Sequence, residues 1–338
     1  MNIQIRAFRI YLGLWLLIGH SAYSLAAIII QSQLDDGPWN KDIAIYPLVG
    51  QTVKLKVQPV AEATIHWYQI FPDLSKIYKN ANHPWEPHPY QWVGFGKIDY
   101  TRRELVPFQG QWEIQPFPIS TSTKIKDWFK AFWPTISTTA YFKTAVGSFW
   151  FQVEIEKAGK IINSSAGIEQ ADARGLSPTV FRISVREGEG YLGYLTSFFN
   201  VPGLFGSTTY QSENYLGVDC ADVLITAYSL WKGTRLDKNY NVGMLINRFP
   251  KVTELVLAAG VPNKSLRWQH DLLPGDLIAV KYSGAKQYQH IGALASDANN
   301  NGVLDENDQV IHAGPLPLQY SLLKTGSFDG QVIILRPK

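Results

Sequence analysis

The only cysteine in 338 residues, Cys220, stands beside Asp219 and two residues before Asp222, where Val223, Leu224, Ile225, Ala227 and Leu230 take up helical spacing that ends at Gly233. Asp219 is a good N-cap, so the pattern predicts a helix that begins at Cys220. In the first turn, unpaired amide N–H groups and the positive end of the helix dipole favour a thiolate, the form of cysteine that attacks carbonyl carbon. The competing reading is a small buried hydrophobe that happens to be a cysteine. Two histidines follow in strand-like surroundings: His290 opens His290-Ile291-Gly292-Ala293, and His312 lies in Gln309-Val310-Ile311-His312-Ala313-Gly314. A thiol on a helix, a base at a strand start and a second polar group on the next strand is the order needed for nucleophile, base and orienter. In that scheme His290 takes the thiol proton and returns it to the leaving amine, while His312 holds the His290 ring in one tautomer. Alone, a histidine at a strand edge is usually a satisfied surface residue, and His270 beside Asp271 is read that way.

Asp219-Cys220 opening a helix, Pro274-Gly275-Asp276-Leu277 before a strand, His290-Ile291-Gly292 and Ile311-His312-Ala313 together resemble the NlpC-type cell-wall peptidases. The resemblance covers about residues 188–338. It implies an α+β papain-like catalytic domain, a Cys220-His290-His312 triad and a substrate in the peptide stems of peptidoglycan or another cell-wall peptide. The family usually has Ser-Gly after Asp-Cys; here the residues are Ala221-Asp222, which places Asp222 in the wall of the pocket beside the thiol. Tyr210 and Tyr215 are both placed to be the substrate-side tyrosine. Acyl transfer to an amine, or action on another amide, uses the same machinery. A calcium-dependent wall-binding module that keeps the fold without turnover is the reading from a different class.

Between the histidines, Asp297 to Asp308 matches a twelve-residue calcium loop: Asp297, Asn299 and Asn301 as side-chain donors, Gly302 at the bend, Val303 through its carbonyl, Leu304 as anchor, and Asp305 and Asp308 closing. A structural Ca2+ held there would fix the strands bearing the two histidines. With aspartate rather than glutamate in the last position, affinity falls at the weak end, on the order of 0.1 to 1 mM. The alternative is a solvated Asn/Asp/Gly turn. No organic cofactor is expected.

These groups need a scaffold. The composition is that of a folded protein, 46% hydrophobic and 17% charged, and the net charge of +3 gives no argument for nucleic acid. Residues 1–26 read as a secretory signal: Arg6 and Arg9, the apolar run from Ile10 to Ile18, then Ser24-Leu25-Ala26. An uncleaved anchor is the alternative. Either places the rest of the chain outside the cytoplasm, secreted or in the cell envelope, where a lone thiol has no partner for an internal disulfide. Residues 28–187 show strand alternation, as in Val53, Leu55 and Val57 against Lys54, Lys56 and Gln58, and predict an immunoglobulin-like sandwich, in one interrupted module or two. The interruption is near 122–138, where Ile125, Trp128, Phe129, Phe132 and Trp133 make a basic amphipathic helix. Such a helix suits a membrane surface, a partner or its own protein. His83, Glu86 and His88 lie in a proline-stiffened loop without the further ligand that a closed zinc site needs. Gly188-Glu189-Gly190-Tyr191-Leu192-Gly193 matches the dinucleotide fingerprint in spelling, but no strand-helix-strand repeat surrounds it.

Overall fold

The computed structural model describes residues 28–80, 94–117 and 141–338. The expected signal at 1–26, the helix near 122–138 and the His83-Glu86-His88 loop lie outside the described residues. The described residues are β-rich with few helices, 37% strand and 14% helix, arranged in several sheets.

The first ten strands are β1 (Gln31–Leu34), β2 (Ala44–Ile45), β3 (Val53–Lys56), β4 (Thr64–Pro72), β5 (Tyr78–Lys79), β6 (Tyr100–Glu104), β7 (Glu113–Phe117), β8 (Gly147–Lys157), β9 (Lys160–Ser164) and β10 (Phe181–Val185). One sheet has the order β1-β3-β7, and a second runs β2-β10-β8-β4-β6 with β9 on β8. In β3 the alternation is realised: Val53 and Leu55 are buried, Lys54 and Lys56 are not. They meet Ile65, Trp67, Phe149 and Ile183 in one apolar core between the two sheets. Trp67 is fully buried, and its Nε1–H donates to the Gln111 carbonyl at 2.8 Å, which satisfies its polar atom inside that core.

The rest of the chain forms α1 (Tyr191–Thr196), β11 (Leu204–Phe205), α2 (Thr209–Glu213), α3 (Cys220–Lys232), α4 (Val242–Arg248), β12 (Lys251–Ala258), β13 (Val261–Pro262), β14 (Leu277–Lys281), β15 (His290–Ser296), β16 (Gln309–His312), β17 (Gln319–Leu322) and β18 (Gly330–Leu335). β12 to β18 make a seven-stranded sheet in the order β13-β12-β18-β14-β15-β16-β17. All of its pairings are antiparallel. Its two faces serve different cores. Leu277, Ala279, Ile291, Ala293 and Ile311 face α3, whereas Ile278, Val280, Leu294, Val310 and Ile334 face away from it into a separate cluster.

The sequence reading divides the chain near residue 187, but the structure has no gap there. Ile70, Val146, Trp150, Leu176 and Val180 belong to the same core as α1 and α3. β8 is buried on both sides because Phe149 and Phe151 face the sandwich while Trp150 faces the α3 side. β5 and β11 pair across the expected boundary, Tyr78 opposite Leu204. The glycine-rich stretch before α1 is a helix lead-in: Gly190 is its N-cap, and a Cβ on Gly193 would stand 2.0 Å from the Gly188 carbonyl oxygen.

Candidate active site

α3 begins at Cys220 because Asp219, in extended conformation, caps it, and ends where Gly233 turns left-handed at φ 62°. The Asp219 carboxylate accepts from the Ala221 and Asp222 amides, each at 3.1 Å, and leaves the Cys220 amide to whatever faces it. Gly314 faces it. A Cβ on Gly314 would lie 3.2 Å from the Cys220 nitrogen, and the residue has φ +88°, so both space and backbone call for glycine. On the other side, the Ile291 N–H is close enough to the thiol to favour its ionised form by hydrogen bonding. Cys220 is therefore bracketed by the residue after His290 and the residue two beyond His312.

The expected thiolate is not the resting form. Cys220 keeps some exposed surface, yet the protein around it desolvates the thiol and pushes its pKa up, and the neighbouring Asp219 charge adds to this. The Ile291 and Ala221 amides pull the other way and lose. Burial also raises Asp219 to about 6 against its backbone donors, and holds Asp222 well above the ordinary carboxylate range with Asp219 reinforcing the shift. Helix-dipole reasoning omitted these two costs.

His290, the first residue of β15, and His312, the last of β16, are 8% and 7% exposed. His290 Nε2 lies 2.9 Å from His312 Nδ1, and His312 Nε2 lies 3.0 Å from the Ser321 hydroxyl on β17. The side chain of Phe328 closes the group, 5.1 Å from the His290 ring and 5.4 Å from the His312 ring. Gly292 makes the approach feasible: a Cβ there would stand 3.0 Å from that of His312. Burial lowers the pKa of His290 from 6.5 to about 3, with His312 contributing, and lowers His312 to about 4. Both rings rest neutral. Because His312 takes Nε2 of His290, Nδ1 is the nitrogen left to accept a proton. Strand alternation puts both rings on the side of the sheet away from the body of α3, with Phe328, while the thiol lies at the first residue of α3.

The turn before β14 has a structural role. Asp276, 2% exposed, accepts from the Leu273 amide at 2.8 Å and pairs with Arg336 at 2.7 Å, which ties the start of β14 to the chain end.

The proposed substrate-side residues separate. Tyr215 is fully buried, stacked on Phe198 at 4.1 Å and bonded through its hydroxyl to Ser197 at 2.9 Å; it is a core residue, not a substrate contact. Asp222 is 1% exposed and accepts from Ser207 Oγ at 2.8 Å, so it supports the helix start from within instead of touching substrate. Tyr210 is 46% exposed and lines a hollow of about 200 Å³ with Gln170, Asp172, Arg174, Ser177 and Leu216.

The loop from Asp297 to Asp308 gathers the expected oxygens, with one correction. Asp308 is fully buried, and its carboxylate accepts from Trp268 Nε1 at 2.8 Å and from the amides of Asp305 at 3.0 Å and Ala298 at 3.2 Å. It closes the loop as an acceptor and is not placed as a metal ligand. Asp297 accepts from the Gly302 and Asn301 amides, Asn301 Oδ1 from the Val303 amide, and Asp305 Oδ2 from the amide groups of Asn299 and Asn301. Among the described residues no three His, Cys, Asp or Glu side chains converge as a metal group.

Two participants escaped the sequence reading. Ser321 has no motif around it, and only the β16–β17 register, Val310 opposite Ser321, puts it on the face of His312. Gly314 looked like the end of a strand; its need to be glycine comes from Cys220, far away in sequence.

Comparison of the chain with protein-family models, with curated proteins and with solved structures found no match.

Proposed function

We propose that the chain is a cysteine hydrolase that cleaves an amide bond, with Cys220 as nucleophile and His290 as base. The observation that carries this reading is the 2.9 Å bond between His290 and His312 at strand ends whose backbone neighbours, Ile291 and Gly314, bracket the thiol. With both groups neutral at rest, separating their charges in a desolvated site is costly. Proton transfer to His290 Nδ1 then accompanies attack of sulfur on the carbonyl instead of preceding it. The carbonyl oxygen becomes an oxyanion facing the Cys220 N–H, the amide that Asp219 leaves uncapped. The His290 imidazolium gives its proton to the leaving amine nitrogen, the C–N bond breaks and a thioester remains. Water, deprotonated by His290, opens the thioester, and the thiol recovers its proton.

Resemblance to the NlpC-type peptidases supports a peptidoglycan stem peptide as substrate and a papain-like arrangement of the catalytic half. An amine in place of water would make the same site a transferase. The test is digestion of purified peptidoglycan by the full chain and by Cys220→Ala, with mass spectrometry of released fragments. New peptide ends from the wild type alone are expected. Absence of new ends from both would remove the wall peptide as substrate; identical new ends from both would remove Cys220 as nucleophile.

A further inference from the structure

Among the described residues the hydrogen-bonded group of His290, His312 and Ser321 contains no carboxylate. Among the described residues, the side-chain partner of His290 is His312, and those of His312 are His290 and Ser321. The proton positions follow from the bonds. If His290 is to accept at Nδ1, its own proton is on Nε2 and is donated to His312 Nδ1. His312 must then carry its proton on Nε2, which points at Ser321 Oγ 3.0 Å away. In the opposite arrangement His312 donates from Nδ1 to His290 Nε2. That puts the His290 proton on Nδ1, where it blocks the nitrogen that the base needs free.

We propose that Ser321 is a positioning residue: as acceptor for His312 Nε2–H it holds the histidine pair in the tautomer that leaves His290 Nδ1 bare. This rests on the reading of His290 as base, and it adds what selects the working form of that base. His312 is nearly buried, so an Nε2–H without an acceptor has no water to turn to, and the opposite tautomer then gains by comparison. The same acceptor serves while the pair is positively charged, whichever ring holds the extra proton, because Nε2 of His312 remains a donor in both forms. Ser321 is fixed for this by register alone. It sits opposite Val310, and Gln319 opposite His312, so Ser321 and His312 share a face; a slip of one residue would turn the hydroxyl to the other side. A hydroxyl provides the acceptor without adding a buried charge to a protein in which Asp219 and Asp222 are already disfavoured as anions by burial.

The experiment pairs a spectroscopic reading of tautomers with a rate. Imidazole 15N spectra of the full chain report which ring nitrogens carry protons, and alkylation of Cys220 by iodoacetamide, followed against pH, reports the base. The wild type should show His290 and His312 both protonated on Nε2. Ser321→Ala should populate the Nδ1–H form of the pair and slow alkylation about tenfold, the equivalent of one hydrogen bond, with its melting temperature near wild type. Ser321→Thr, which keeps the hydroxyl, should restore both. Wild-type tautomers retained in a folded Ser321→Ala would overturn the proposal, as would a wild type with His312 protonated on Nδ1. The reading beneath it is judged separately. If His290→Ala leaves alkylation unchanged, His290 is not the base, while the 15N spectra still decide whether Ser321 sets the tautomer.

Discussion

Two polar clusters hang from the same pair of strands, β15 and β16, and they end differently. The loop joining the strands turns its oxygens inward: Asp297, Asn301, Asp305 and Asp308 each accept from donors of the loop, and Asp308 also takes the Trp268 N–H. The histidine pair at the other end of the strands leaves one valence open. Both nitrogens of His312 and Nε2 of His290 are engaged, and Nδ1 of His290 has no hydrogen-bond partner among the described residues. The first cluster resembles a folded side-chain network whose groups satisfy one another. The second is held at three points and leaves the fourth without a bond. Residue types alone do not separate these cases, since Asp, Asn and His serve equally for either; the bonds do.

The largest effect that sharpens this contrast is expected from Gly314→Ala. The added Cβ stands 3.2 Å from the Cys220 nitrogen and occupies the space where the oxyanion is to lie. Loss of one oxyanion donor costs about 10²- to 10³-fold in turnover. Alkylation by iodoacetamide is a displacement at carbon that forms no oxyanion, and its rate should stay near wild type. A parallel fall of both rates would mean that the left-handed backbone at Gly314 has been disturbed and the thiol moved, which would remove the oxyanion assignment.

Stability against pH should be the next largest effect, and its sign differs between the groups at the site. The histidines have folded pKa values near 3 and 4, below their ordinary 6.5, so protons favour the unfolded chain. Their contribution is present above about pH 6.5 and falls away as pH drops toward 3. Asp219 and Asp222 are raised, so their contribution is present below the ordinary 3.8 and is lost as pH rises through about 6 for Asp219 and higher for Asp222. Asp222→Asn keeps an acceptor for Ser207 and removes the charge. Its melting temperature should exceed that of wild type at pH 8, with the gain shrinking toward pH 4. A gain that is independent of pH would show that Asp222 is not the titrating group.

Much of this architecture was legible because it is local. The cap at Asp219, the stop at Gly233, the alternation in β3 and the strand starting at His290 are set by neighbours within a few residues. The thiol's pKa was not legible. Amides of the first turn can be read from a sequence, but the protein that buries the thiol and Asp219 comes from β15, the Gly314 turn and the segment around Ser207. Tyr215 misled for the same reason. It occurs at a family-like spacing, and only the stack on Phe198 and the Arg182 guanidinium 3.8 Å over its ring reveal a core residue. β8 likewise reads as an ordinary strand of a sandwich, although Trp150 serves a second core, shared with the helices beyond residue 187.

The smallest effect concerns calcium, and it tests the inward-turned loop directly. Asp308→Ala leaves the buried Trp268 N–H without its acceptor, a loss of about 1–3 kcal/mol, and the part-buried Asp305 and Ala298 amides turn to water. The variant should melt several degrees lower while its Cys220 alkylation rate, which depends on the far end of the strands, stays close to wild type. EGTA added to the calcium-loaded wild type decides whether an ion adds to these bonds: an unmoved melting temperature would mean that the loop's own donors and acceptors suffice. A fall as large as that of Asp308→Ala would mean that Asp297, Asn299, Asn301, Val303 and Asp305 exchange these bonds for a cation. In that case the twelve-residue pattern would be a calcium loop with Asp308 in support, and its ordering would bear on the spacing of His290 and His312 after all.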